Sequence, residues 1–171
     1  MVYAVYVLFV IAMLALLAAG AWQDIATRTI PDEVNALLFV MGGIARLNQG
    51  PQELFYSGLS ALMLFLLFMF AYSRGLIGGG DVKLMTAVAI GLSPSDCYRF
   101  VVVTALAGGV LGIAYLLLSR RLIPMRMSKR TSLLKRVMAA EAWRIHRRGP
   151  LPYGGAIAAG GAFVLLHPGS F

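Results

Sequence analysis

Val2 to Ala21 and Leu54 to Tyr72 contain no charged residue, and a chain that repeats such runs has few folds open to it. A soluble domain has to surround its core with polar residues. Here 60% of the sequence is hydrophobic, 13% is charged and the mean hydropathy is +0.81. Uncharged runs long enough to cross a bilayer, separated by short polar clusters, specify helices whose backbone bonds are satisfied internally while the side chains face lipid. The expected fold is all-α, a polytopic membrane bundle. No linker, low-complexity stretch or repeat of fixed period divides it, so residues 1–171 read as a single domain.

Six helices follow from the pattern. Val2 to Ala21 is the first, read as a retained span because no Lys or Arg precedes it as in a signal peptide. Pro31, followed by Asp32 and Glu33, starts a second that ends near Leu47. "NQGP" (Asn48 to Pro51) turns the chain into the third, Leu54 to Tyr72. The fourth, Val82 to Leu92, is only roughly 16 Å long, and Val34 to Leu47 about 21 Å, both short of the ~30 Å hydrocarbon layer. Ser93 as N-cap, Pro94 and Asp96 open the fifth, which runs to Ser119. The sixth is Leu151 to Leu166.

The placement of basic residues sets the orientation. With both termini outside, the inner loops hold Arg28, Arg74 and Lys83, together with Arg120, Arg121, Arg126, Lys129, Arg130, Lys135, Arg136, Arg144, Arg147 and Arg148. Only Arg46 and Arg99 of the fifteen Lys and Arg residues remain outside. This bias accounts for the net charge of +8 without a nucleic-acid partner, and it points to anionic inner-leaflet lipids instead. Leu133, Leu134, Val137, Met138 and Ile145 fall broadly on one helical face among these cations. The stretch from about 120 to 149 therefore reads as an amphipathic helix on the inner surface. One cysteine, Cys97, and two histidines exclude a disulfide framework and provide no metal site, so Cys97 is expected to fill apolar space.

Two carboxylates stand out on this background. Asp24 closes the first helix and Asp81 begins the fourth, both at the inner face. An acidic residue within a membrane costs on the order of 2.5–3.5 kcal/mol on insertion scales, so such residues usually line a site. Each alone could be an interfacial or helix-capping residue. As a pair they could share one proton, so that one activates water while the other polarises a peptide carbonyl. The run "GLIGGGDVKL" sets three glycines before Asp81, where bare backbone would admit an extended substrate and tolerate positive φ. A phosphate loop is excluded, because Asp81 would repel the phosphate and no Gly-Lys-Ser/Thr ending follows.

These residues resemble the type IV prepilin peptidase family. "GGGDVKL" is similar to its Gly-x-Gly-Asp signature, "QDIATRTIP" to its first-aspartate region and "LPYGGAIAAGG" to its last-helix Pro-Tyr-Gly segment. The small single-module form looks like the TadV/CpaA group, which processes Flp-type prepilins. The resemblance implies an aspartic endopeptidase without a cofactor, embedded in the bacterial inner membrane and cutting a prepilin or pseudopilin leader at the cytoplasmic edge. It implies Asp24 and Asp81 as the catalytic pair and Gly78, Gly80, Lys83, Pro31, Pro152, Tyr153 and Gly154 as motif or substrate-binding residues. Asp32 departs from the Asn common after the proline, placing a third carboxylate near the pair. The paired-cysteine region of larger relatives is lacking, so N-methylation is not expected. Two other readings stand beside this one: an intramembrane aspartic protease acting on a different helix, and a proton or cation carrier in which the two aspartates titrate. The leading reading expects a water-filled cleft in which Asp24 and Asp81 face each other beside a flexible Gly75 to Gly80 segment.

Overall fold

A computed structural model describes residues 2–119, 137, 151–167 and 169. It contains α1 (Val2–Thr27), α2 (Asp32–Gln49), α3 (Pro51–Ser73), α4 (Gly79–Ala89), α5 (Pro94–Ser119) and α6 (Tyr153–Leu166), with no strand among the described residues. The expected all-α bundle and its order of helices are borne out. The basic stretch from 120 to 149, with its expected surface helix, lies outside the described residues apart from Val137, which is helical.

Two helices run further than their apolar cores. α1 continues past Ala21 through Asp24 to Thr27, whose hydroxyl donates to the Gln23 carbonyl at 2.9 Å. Arg28 then stops it in a left-handed conformation, φ 59°, with its N–H still donating to the Asp24 carbonyl. α2 has 18 residues, about 27 Å rather than the shorter span expected. The polar residues at its end stay helical because Arg46 is buried and holds them. Arg46 Nε donates to Ser57 Oγ at 2.7 Å and one terminal nitrogen to Gln49 Oε1 at 2.6 Å, while the other pairs with Glu53. That network ties the end of α2 to the start of α3 across Gly50. At α5 the expected cap is present: the Asp96 N–H donates to Ser93 Oγ at 3.1 Å, and Ser93 Oγ donates to Asp96 Oδ2 at 2.9 Å.

Two groups of helices make the bundle. α6 packs against both α1 and α5, α4 packs against α2 and α3, and contacts of α1 with α2 and of α4 with α6 join the groups. α4 is short but central, with Val82, Leu84, Met85, Ala87, Val88 and Ala89 all buried. Around it lie Met13, Leu17, Leu38, Phe100, Ile157 and Val164, and Cys97 fills part of the same apolar core.

Outside, the pattern is inverted. Met63, Leu66, Leu67 and Phe70 of α3 and Leu106, Val110, Ile113 and Leu116 of α5 are all exposed. In water such a surface would aggregate, whereas in a bilayer it is the solvated face. Tyr6–Thr27, Pro51–Ser73 and Pro94–Ser119 are long and apolar enough to cross, while α6 is a shorter apolar helix. The chain is a helical membrane protein.

Between α2 and the turn that ends α4 the backbones nearly touch. A Cβ at Gly42 would lie 2.9 Å from the Gly91 Cα and N, whereas one at Gly43 would meet nothing within 4 Å. Such small-residue crossings let membrane helices gain dispersion that lipid cannot replace. Gly42→Ala should therefore destabilise the bundle by about 1–3 kcal/mol, the usual cost of overpacking. Gly43→Ala should change it by no more than about 0.5 kcal/mol. Denaturation in mixed micelles would separate them, and equal stability of the two variants would refute the close crossing.

Candidate active site

The two aspartates reach one cavity from opposite groups of helices. Asp24 sits in the last turn of α1 and is 7% exposed, and Asp81 sits half-buried in the first turn of α4. Both line a cavity of about 640 Å³ together with Arg28, Thr29, Ile30, Asp32, Phe65, Met69, Tyr72, Gly78, Gly79, Gly80, Val82 and Lys83. Asp24 and Arg28 both act electrostatically on the Asp81 carboxylate, so the three charges share one local field.

Asp24 is held from α6. The Gly154 N–H, free because it lies in the first turn of that helix, donates to Asp24 Oδ2 at 2.8 Å. No other residue type fits there, because a Cβ on Gly154 would lie 2.8 Å from Asp24 Cβ and 2.9 Å from its Oδ2. Pro152 is the buried N-cap residue that sets the start of α6, and it lines no described cavity. Tyr153 stands beside Asp81 in a neighbouring cavity of about 330 Å³ and packs onto Gly108, where a Cβ would meet its ring at 2.9 Å. Of the Pro-Tyr-Gly segment, Gly154 thus touches the pair directly and Tyr153 borders it.

Asp81 is held from its own helix. It occupies the third position after the N-cap Gly78, with its carboxylate against the Gly78 backbone, where it faces the positive end of the helix. A Cβ on Gly78 would lie 3.0 Å from Asp81 Oδ2. Of the two properties expected of the three glycines, close approach and tolerance of positive φ, none of them uses the second. Gly78 has φ −74°, Gly79 and Gly80 are helical, and the left-handed residue is Gly75, φ 70°. What the motif glycines provide is room: Gly79 lies against Tyr72, and Gly80 faces Ile30 at an ordinary 3.7 Å. Gly42, in the middle of α2, is tighter against a neighbouring backbone than any of the three.

Lys83 and Asp32 answer each other. Lys83 Nζ lies 2.8 Å from Asp32 Oδ1, with the two side chains 57% and 75% exposed. An ion pair this wet adds little stability. Its effect is local: the extra carboxylate at position 32 is matched by a cation on the cavity rim. Pro31 is the N-cap residue of α2, with φ −61° and ψ 141°, and aims Asp32 at that rim. Arg28 escaped attention as a site residue because its charge was fully used in the orientation argument. Its spacing from Asp24, four residues along one helix, was the available signal. Phe65, Met69 and Tyr72 of α3 carried no signal, since any apolar span has such residues. Among the described residues no group of three His, Cys, Asp or Glu could hold a metal ion.

A match to known families covers this same framework. Residues 9–113, which include both aspartates and the glycine run, match the model of the type IV leader peptidase family. No curated protein and no solved structure matches the chain. With both carboxylates of the motif inside the matched segment, which spans more than half of the sequence, the chain belongs to the type IV leader peptidase family, a family of membrane proteases.

Proposed function

We propose that the protein is a prepilin leader peptidase of aspartic type, with Asp24 and Asp81 as the catalytic pair. The observation that carries this reading is the convergence of the two carboxylates on one cavity, each fixed by a backbone contact. In such a pair one proton is shared, because two neighbouring carboxylates do not both ionise cheaply. The ionised partner takes a proton from water, which attacks the scissile carbonyl carbon. The protonated partner donates to the carbonyl oxygen, and the tetrahedral intermediate collapses with the proton passing to the leaving nitrogen. The Gly154 N–H fixes the rotamer of Asp24, and the Gly78 contact does the same for Asp81.

The family implies a prepilin-type substrate in general. Within that class, the resemblance of this chain's motifs to the TadV/CpaA group favours Flp-type prepilins or pseudopilins. Placement of the site at the cytoplasmic edge of the bacterial inner membrane, with both termini outside, rests on the bias of Lys and Arg. Position 1 to 171 is proposed as one catalytic domain, with anionic lipids under the basic stretch. The glycines Gly78 and Gly80, with Lys83, form the wall along which the substrate lies. Pro31, Pro152 and Tyr153 shape the helix starts around it.

Two experiments bear on this. Asp24→Asn and Asp81→Asn should each lower processing of a Flp-type prepilin by about 10²-fold or more, with membrane insertion unchanged. Near-normal processing by either variant at matched expression would refute the aspartic mechanism, and a chelator should leave the wild type fully active. Gly154→Ala should lower the rate at least about tenfold, because a misplacement of even an ångström at a catalytic group is expensive. Gly155→Ala, whose Cβ would meet only Leu111 at 4.0 Å, should be close to normal. Equal rates for these two alanine variants would show that the Asp24 contact has no part in catalysis.

A further inference from the structure

The cavity of the pair does not end at Lys83. A second cavity of about 350 Å³ shares Asp32, Phe65 and Lys83 with it and continues along α2, against Asn35, Phe39 and Thr86. Asn35 is 7% exposed, and neither its amide nitrogen nor its amide oxygen has a hydrogen-bond partner among the described residues. Burying a polar group unpaired costs about 1–3 kcal/mol, so an apolar residue would serve the fold better here. The other buried residues of α2 incur no such penalty. Val34, Leu38 and Gly42 are apolar, and Arg46 is fully engaged by Ser57, Gln49 and Glu53.

A carboxamide presents a donor and an acceptor side by side, the complement of one peptide unit. Both amide atoms are closed to solvent in this structure. An extended chain leaving the pair along α2 would therefore cross the shared rim and meet the Asn35 amide as that amide turns outward into the second cavity. Resting on the proteolytic reading above, we infer that Asn35 binds the main chain of the substrate. Its amide pairs with one peptide group a few residues from the scissile bond, with Phe39 and Phe65 forming the apolar wall of that subsite. The ligand is neutral polypeptide backbone, because the amide carries no charge and the adjacent Lys83 and Asp32 neutralise each other. Such a contact fixes the register of the bond in the pair without selecting a particular side chain.

Asn35→Leu, close in volume, tests this in the purified full chain with a synthetic prepilin-type peptide. The expected result is a thermal midpoint equal to or above that of the wild type, a KM raised about tenfold or more and a kcat within about twofold. An unchanged KM would overturn the inference, as it would if a trapped water already satisfied the amide. A lowered midpoint would overturn it too, since the amide would then serve the fold. Peptides with a single N-methylated bond add a second measurement. One position should impair cleavage by the wild type and cause no further loss in Asn35→Leu, and equal losses in both enzymes at every position would count against the pairing. Failure of the proteolytic reading is separately visible, as an inactive wild type or an active Asp81→Asn.

Discussion

Helix α6 can lie between α1 and α5 only because glycines stand where it meets them. At Gly160 a Cβ would fall 2.1 Å from Thr104 Oγ1, and at Gly161 it would fall 2.9 Å from a Leu17 methyl. At Gly154 the neighbour is the Asp24 side chain itself. A helix with side chains at these points would stand further out, and the distance would be lost at every contact along it. In a bilayer no hydrophobic force pulls helices together, so close approach is the main source of attraction. The same closeness lets a backbone N–H of α6 reach the Asp24 carboxylate. Packing and site geometry are therefore one constraint.

The polar groups of the bundle follow a related economy. Arg46, 4% exposed, is fully engaged by three neighbours and closes the α2–α3 hairpin. Asp96 is similarly engaged by Ser93 and Arg99 at the start of α5. Apart from the Gly169 N–H, which reaches Asp96 Oδ1 at 3.3 Å from beyond α6, their partners come from local helix ends, so these clusters mainly stabilise turns. The Asp24 and Asp81 arrangement differs because its members arrive from α1, α4 and α6, and because the space between them is open. Carboxylates gathered from distant segments around a cavity cannot be explained by capping, even though Asp81 also caps its helix.

Much of this was legible beforehand because the governing signals are local. Uncharged runs gave the helices, Pro94 after Ser93 gave a cap, and Asp24 with Asp81 emerged as charges in segments that should have none. Helix ends were less legible. Asn48 and Gln49 look like turn residues until Arg46 is tied to Ser57 and Glu53, and those partners come from the next helix. The glycines offer both close approach and backbone freedom on sequence grounds, and no local rule says which of the two a given glycine serves. Only a neighbour's distance does, and for Gly42 that neighbour is 49 residues away at Gly91. Asn35 was invisible for the same reason: an Asn in the first turns of a helix is unremarkable until it is found buried without a partner.

Membership in a family of membrane proteases also weighs against the carrier reading of the chain. A carrier needs its titrating groups in contact with water from either side in turn, and a pair fixed by two backbone contacts within one cavity suits hydrolysis better. The three charges Asp24, Asp81 and Arg28 lie at the ends of α1 and α4, away from the apolar middle of the bundle formed by Leu17, Leu84 and Phe100. That position suits a protease that lets the apolar part of its substrate remain in lipid while an adjoining extended segment enters the cavity. Such a division needs one wall free of side chains and one capable of holding backbone. On the proposed reading the glycines at the start of α4 would provide the first, and the start of α2, from Asp32 to Asn35, would provide the second.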